Sequence, residues 1–152
     1  MTPAMDPNAE IAPDELGALL GIDTPDVLGL MGEDGPFKAE PSGFLRLRVA
    51  LGIAVYVFAG MKLLTDPMLA ARAACEAATG ADMDEDKRLV IAWHHGRATM
   101  GWFTDRVPLP EEDETFGSAL RMPNVVIPAD RMMRDLRAAL LSLRERSRGA
   151  AH

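Results

Sequence analysis

Apolar residues near the start of the chain recur at helical spacing in a short run that ends at a glycine. Leu16, Leu19 and Leu20 fall on one face of a helix when each residue turns by about 100°. Pro13 suits the first turn of that helix, where its missing N–H would have no partner in any case. Gly21 suits the end of the helix, where a left-handed backbone is common. The pattern therefore predicts a helix between Pro13 and Leu20.

A second short helix is expected directly after this turn. Asp23 or Thr24 can cap it, and Pro25 fits its first position. The residues that would face inward are Val27, Leu30 and Met31. The chain is therefore expected to begin with a helical hairpin whose corner lies at Gly21.

The longest apolar run without a charge, Val49–Met61, contains 13 residues. That length is too short to cross a bilayer and suits a buried helix. We expect one long helix over Phe44–Leu64, in which Gly52 would allow a neighbouring helix to approach closely. An alanine-rich helix over Pro67–Ala78 is expected to follow.

The clearest strand pattern, Arg88–Thr104, can fold back on itself at His95-Gly96. Gly96 readily adopts the positive backbone angles that a two-residue turn needs. The resulting register pairs Leu89 with Trp102. One face of the hairpin would carry only apolar residues, namely Leu89, Ile91, Trp93, Ala98, Met100 and Trp102. The other face is expected to be wetter and would carry Val90, Ala92, His94, Arg97, Thr99 and Gly101.

The β-branched run Asn124–Ile127 is expected to add a third strand to this hairpin. A final amphipathic helix would start at Pro128 and fray from Arg146 onward. Its apolar stripe consists of Met132, Met133, Leu136, Leu140 and Leu143. The arginines outside that stripe are Arg131, Arg134, Arg137 and Arg144. The helix can therefore cover the apolar face of the hairpin.

These elements together predict an α+β protein. Residues 1–12 contain two prolines and no apolar run, so we expect a disordered tail there. Residues 13–80 would form a helical domain. Residues 87–147 would form a smaller α+β domain, consisting of the β-hairpin and third strand covered by the last helix.

Charge is distributed unevenly between the two ends of the chain. The formal net charge is −7, which disfavours nonspecific coating of nucleic acid. Residues 1–42 hold nine acids and one lysine, whereas residues 118–152 hold seven arginines and three acids. The basic end can contact phosphate, an acidic partner or the acidic half of the same chain. One cysteine excludes an internal disulfide, and the N-terminal residues resemble no secretory signal, so a cytoplasmic protein without a membrane segment is expected.

No pattern of catalytic residues stands out, and we expect neither an enzyme nor a cofactor. The serines lack an elbow motif, and no glycine-rich phosphate loop or dinucleotide fingerprint is present. His94 and His95 are adjacent on a strand, so they point to opposite faces and are poorly placed to chelate one metal ion. The alternating Asp82, Asp84 and Asp86 lack the glycine and closing glutamate of a calcium loop. No metal site is therefore predicted.

The N-terminal pattern resembles the helix-turn-helix superfamily over about residues 13–62. The matching positions, with a glycine at the turn and aliphatic residues on either side, are Gly17, Gly21, Ile22, Val27 and Leu30. Residues 35–46 resemble the short wing of MerR-like and excisionase-like members. The resemblance implies binding to double-stranded DNA. The second helix departs from the family, because its outward positions are acidic or apolar and Thr24 is its one useful contact.

Two functions follow as hypotheses. The first is a DNA-binding accessory or regulatory protein, either a transcription regulator or a small DNA-recognition subunit of a phage packaging machine. Its nucleic-acid contacts would be Thr24, Lys38, Arg46, Arg48, His95 and Arg97.

The alternative is a non-enzymatic protein-interaction module with a degenerate helix-turn-helix. It would bind a protein partner, or a second copy of itself, through its acidic N-terminal face or its basic last helix. The partner-binding residues on that helix would be Arg131, Arg134, Arg137 and Arg144. One continuous positive face that includes Arg46, Arg48 and Arg97 would favour DNA, whereas scattered positive charges would favour the protein partner.

Overall fold

A computed structural model describes residues 8–31, 37, 45–57, 66–82, 85–94, 96–103 and 124–150 of the chain. In chain order, its elements are β1 (Glu10–Ile11), α1 (Pro13–Leu20), α2 (Thr24–Leu30), β2 (Leu45–Arg46), α3 (Leu47–Ala54), α4 (Pro67–Gly80), β3 (Arg88–His94), β4 (Arg97–Phe103), β5 (Asn124–Ile127) and α5 (Ala129–Ala150). Helices dominate the N-terminal part, and a three-stranded antiparallel sheet with a long helix follows. The predicted α+β class is therefore confirmed.

The N-terminal helical hairpin has its corner at Gly21, as predicted. Gly21 has a φ of 69°, and the Ile22 N–H donates to the carbonyl of Gly17 at 3.0 Å. A side chain at Gly17 would place its Cβ only 2.7 Å from the Ile22 carbonyl oxygen, so the tight corner requires glycine there. Val27 is completely buried and Leu30 is half-buried.

The segment preceding this hairpin corrects two predictions. Glu10 and Ile11 form a strand that pairs with Arg46 and Leu45, and Ile11 is completely buried. These residues therefore do not belong to a disordered tail. The same pairing holds Leu45 and Arg46 extended, so the helix expected from Phe44 begins at Leu47. The predicted continuation of that helix over residues 58–64 lies outside the described residues.

Helices α3 and α4 pack closely at Gly52. A Cβ on Gly52 would lie 3.1 Å from the carbonyl oxygen of Ala74 and 2.9 Å from the Phe37 ring. The facing side of α4 is made of the small buried residues Ala70, Ala73, Ala74 and Ala77. Small side chains on both helices therefore permit the close approach that the sequence predicted at Gly52.

No helix in the described part of the chain combines the length and apolar character that a membrane span requires.

The hairpin has the predicted register throughout, from His94 paired with Arg97 to Leu89 paired with Trp102. β5 joins it on the β3 side, so the strand order is β4-β3-β5. The expectation of a wetter second face is wrong at Val90 and Ala92, which are each 2% exposed. β3 is the central strand of the sheet and is buried on both faces, whereas Arg97 and Thr99 on β4 are exposed.

Helix α5 contacts β3, α3 and α1. It starts one residue after the predicted Pro128 and extends through Ala150, so the expected fraying from Arg146 is wrong. Met133 and Leu140 of its stripe are buried, and the other three stripe residues are half-buried. Buried residues from the helical part and from the sheet form one hydrophobic cluster. α5 thus joins the two parts of the chain that the sequence suggested as domains.

Candidate partner-binding groove

A buried carboxylate in the first turn of α5 anchors the segment between α4 and β3. Asp130 Oδ1 accepts from the Asp82 N–H at 2.7 Å, and Oδ2 accepts from the Lys87 N–H at 2.8 Å. Among the described residues, Asp130 is the one charged side chain that is fully buried. Such burial is costly unless the charge is hydrogen-bonded, and the helix N-terminus also favours a negative group. Asp130 therefore fixes where β3 begins relative to α5.

The antiparallel pairing of β3 with β5 brings basic residues from two elements together. Leu89 pairs with Ile127, so the residues just before Leu89 lie beside the start of α5. An open cavity of about 550 Å³ lies at this point. It is lined by Asp86, Lys87, Arg88, Val126, Pro128, Arg131 and Arg134, which we call the basic groove. The lining of this cavity thus includes four cationic residues and a single acidic one.

The two cationic residues contributed by α5 have different environments. Arg134 donates to Asp86 Oδ1 and, at 3.0 Å, to the Glu85 carbonyl. The hydrogen bond with Asp86 raises the pKa of the Arg134 guanidinium, so it stays charged under all ordinary conditions. Arg131 is exposed on the preceding turn of the helix. The groove therefore combines a positioned guanidinium with one that extends into solvent.

The two cationic residues contributed by the start of β3 rest on aromatic rings. The Lys87 ammonium donates to the Gly80 carbonyl at 2.6 Å and lies 5.4 Å from the centre of the Trp102 ring. The Arg88 guanidinium lies 5.9 Å from the centre of the Phe103 ring. The Lys87 ammonium is therefore held on the Trp102 face of the sheet, whereas Arg88 lies on the opposite face with Phe103. The ring contact restrains the Arg88 side chain, which reduces the conformational entropy that it loses when a ligand binds.

The predicted DNA contacts Arg46 and Arg48 make bonds within the protein. Arg46 donates to the Asn8 carbonyl at 3.0 Å and lies 3.7 Å from a carboxylate oxygen of Glu10. Arg48 donates to three carbonyl oxygens at the end of α4, the shortest bond being 2.8 Å to Ala81. A cation at this position complements the negative end of the helix dipole. Both arginines therefore help to hold the fold together.

The other predicted DNA contacts are not gathered around these two arginines. Thr24 is half-buried at the start of α2, and Arg97 is exposed at the start of β4. The end of α4, which Arg48 caps, adjoins Trp102. Trp102 lies five residues along the strand from Arg97, a separation of roughly 17 Å at 3.3 Å per residue. Lys38 and His95 lie outside the described residues.

The four arginines predicted to bind a partner fall in different places. Arg131 and Arg134 line the basic groove, while Arg137 is half-buried elsewhere on α5. Arg144 donates to both carboxylate oxygens of Glu15, from Nε at 2.9 Å and from Nη2 at 3.2 Å. The basic end of the chain therefore contacts the acidic half of the same chain at this pair, which is one of the three contacts predicted for it.

Lys87 and Arg88 line the groove, although no sequence pattern indicated them as site residues. The β-branched run Asn124–Ile127 predicted a third strand but not its register. The pairing of Ile127 with Leu89 places Lys87 and Arg88 beside Arg131. These two residues could have been predicted only if the register of this four-residue strand had been known.

Two of the acidic-loop residues considered as calcium ligands are hydrogen-bonded, Asp82 through its backbone and Asp86 through its carboxylate. The Asp82 N–H donates to Asp130, and the Asp86 carboxylate accepts from Arg134. Within the described ranges, no cluster of three or more His, Cys, Asp or Glu side chains could hold a metal ion. No protein-family model, curated protein or solved structure matches this chain.

Proposed function

We propose that the protein is a non-enzymatic protein-interaction module that binds an acidic segment of a partner protein in the basic groove. The observation that supports this most is that three arginines, Arg88, Arg131 and Arg134, line one open cavity. Val126 is 42% exposed and lies with Pro128 in the same lining, so the groove also offers an apolar contact. Cationic residues around a small apolar surface suit a peptide that carries both carboxylates and an aliphatic side chain.

The size and charge of the groove favour a peptide over DNA. Duplex DNA presents phosphates over a long surface, and binding it requires several separated cationic contacts. Arg46 and Arg48, which the DNA hypothesis needs, are engaged by carbonyl and carboxylate groups. The exposed side of α2 carries Leu28, which is 50% exposed, and Asp26, neither of which attracts phosphate. A short acidic peptide needs only the groove.

A direct competition between ligands tests this proposal. A fluorescent peptide of alternating Glu and Val residues and a fluorescent DNA duplex would each be titrated with the protein at low salt, with anisotropy as the readout. We expect saturable binding of the peptide and weaker binding of the duplex. Replacing Arg131 by Glu should weaken peptide binding by about tenfold, since it exchanges an attraction for a repulsion.

The matched control is Arg146→Glu, which makes the same charge change at an exposed position of the same helix. It should alter peptide affinity by less than about twofold, as expected for a charge outside the contact surface. Absent peptide binding, or equal losses in the two variants, would overturn the proposal. Saturable duplex binding that Arg97→Ala abolishes would support the DNA-binding alternative instead.

A further inference from the structure

Asp86 is the acidic residue in the lining of the basic groove, and its carboxylate binds one of the groove arginines. The Arg134 Nη2 donates to Asp86 Oδ1, and Arg134 Nη1 donates to the Glu85 carbonyl at 3.0 Å. Both terminal nitrogens of this guanidinium therefore bind residues of the same chain. A carboxylate supplied by a partner would compete for the same nitrogens, because carboxylates bind arginine through these N–H groups. Asp86 thus holds the position that a ligand carboxylate would take.

The backbone next to Asp86 is fixed independently of this ion pair. The Lys87 N–H donates to Asp130 Oδ2 at 2.8 Å, and the Asp130 N–H donates to the Lys87 carbonyl at 3.4 Å. The Lys87 ammonium also donates to the Gly80 carbonyl, at 2.6 Å. None of these bonds involves the Asp86 side chain, so they remain when Asp86 releases Arg134. The wall of the groove can therefore stay in place while one side chain changes its rotamer.

The ion pair between Asp86 and Arg134 is exposed enough to be displaced. The Asp86 side chain is 63% exposed, and that of Arg134 is 35% exposed. Solvent screens an ion pair at such a position, so its net contribution is small. The exposed Arg131 lines the same groove three residues before Arg134, which places the two arginines side by side on the helix. A ligand with two carboxylates can therefore replace Asp86 at Arg134 and also reach Arg131.

We propose that Asp86 is an autoinhibitory residue, which holds Arg134 in the unbound protein and is displaced when an acidic partner segment enters the basic groove. This inference rests on the proposed function and adds the regulation of the site. A segment with a single carboxylate only exchanges one ion pair for another at Arg134. A segment with two carboxylates gains a second contact, at Arg131. Asp86 therefore favours partners whose acidic residues are clustered over partners with an isolated one.

Removing the charge of Asp86 tests this competition. In the anisotropy titration with the Glu-Val peptide, we expect Asp86→Asn to bind roughly three- to fivefold more tightly than the wild type, since the ligand no longer displaces a carboxylate. The matched control is Asp135→Asn, which removes the same charge at an exposed position of the same helix outside the groove lining. It should change the affinity by less than about twofold. A contact that only supports the fold would give the opposite sign, because its loss would weaken binding.

The same substitution in an Arg134→Gln background separates competition from simple repulsion between Asp86 and the peptide. If Asp86 acts by occupying Arg134, Asp86→Asn should change the affinity by less than about twofold in that background, whereas repulsion would give the same gain in both backgrounds. Equal gains, or no gain from Asp86→Asn alone, would overturn the autoinhibitory role while leaving the proposed function intact. A failure of both the wild type and Asp86→Asn to bind the peptide would overturn both proposals.

Discussion

Arg144 on α5 binds both carboxylate oxygens of Glu15 on α1, although 129 residues separate them in the sequence. The Arg144 Nη2 also donates to the Glu10 carbonyl at 2.8 Å, and Glu15 Oε1 accepts from the Ala12 N–H at 3.0 Å. Glu15 therefore caps its own helix and links that helix to the C-terminal one. Both side chains are partly exposed, so the contact forms part of the surface of the protein.

The Arg144–Glu15 pair should contribute measurably to stability. Because the contact is bidentate and partly shielded, we expect a coupling free energy of about 1 kcal/mol from a double-mutant cycle with Glu15→Gln and Arg144→Met. Chemical denaturation followed by circular dichroism would measure it. Arg146→Met, at an exposed position one half-turn further on, should change the free energy of unfolding by less than about 0.5 kcal/mol. This prediction would be contradicted if the losses in the free energy of unfolding caused by Glu15→Gln and Arg144→Met simply added in the double variant.

The same pair predicts how stability depends on pH. The hydrogen bond from Arg144 holds the pKa of Glu15 below its ordinary value of 4.5. A carboxyl with a lowered pKa stabilises the fold at pH values above the unfolded pKa, and this contribution is lost as the pH falls through the folded pKa. The difference in free energy of unfolding between the wild type and Glu15→Gln should therefore be constant near neutral pH and shrink below pH 4.5. A difference that stays constant down to pH 3 would be evidence against this role for Glu15.

Two glycines of the N-terminal hairpin offer a matched comparison. Gly17→Ala would bring a Cβ against the Ile22 carbonyl, a backbone atom that has little room to move, and should cost about 1–3 kcal/mol. Gly29→Ala, on the neighbouring helix, would meet nothing within 4 Å. It should be neutral or stabilising by up to about 1 kcal/mol, since alanine restricts the unfolded chain. Thermal unfolding of the two variants would decide, and equal shifts in Tm would contradict the proposed packing at Gly17.

Asp130→Asn should destabilise the protein and loosen the basic groove. The amide can accept one of the two backbone hydrogen bonds, but its NH₂ group would face the other N–H donor. We expect a cost of about 2–4 kcal/mol because a buried donor is left without an acceptor. Urea denaturation would measure the loss in the free energy of unfolding. Hydrogen exchange should show that the Lys87 amide hydrogen exchanges faster than in the wild type. Asp135→Asn, at an exposed site on the same helix, is the control and should leave both quantities nearly unchanged.

Much of the local structure followed from the sequence because its causes are local. The corner at Gly21 and the register of the β3–β4 hairpin are set by glycine positions and by the alternation of nearby side chains. The third strand was also recognisable from its β-branched residues. The sequence did not, however, indicate that Leu45 and Arg46 would form a strand. The helix expected from Phe44 therefore begins later, at Leu47.

Tertiary structure alone decided which distant residues are in contact. Ile11 is buried because its two-residue strand pairs with Leu45 and Arg46. Arg48 donates to the Ala81 carbonyl because α4 ends beside α3. Arg144 is held by the acidic half of the same chain, whereas Arg131 stands exposed at the groove. Hydrophobic periodicity assigns each helix its buried face but does not specify which face of another element it will contact. For that reason the sequence determined most of the helices and the hairpin of this protein, whereas their packing determined the β1–β2 pairing and the position of the groove.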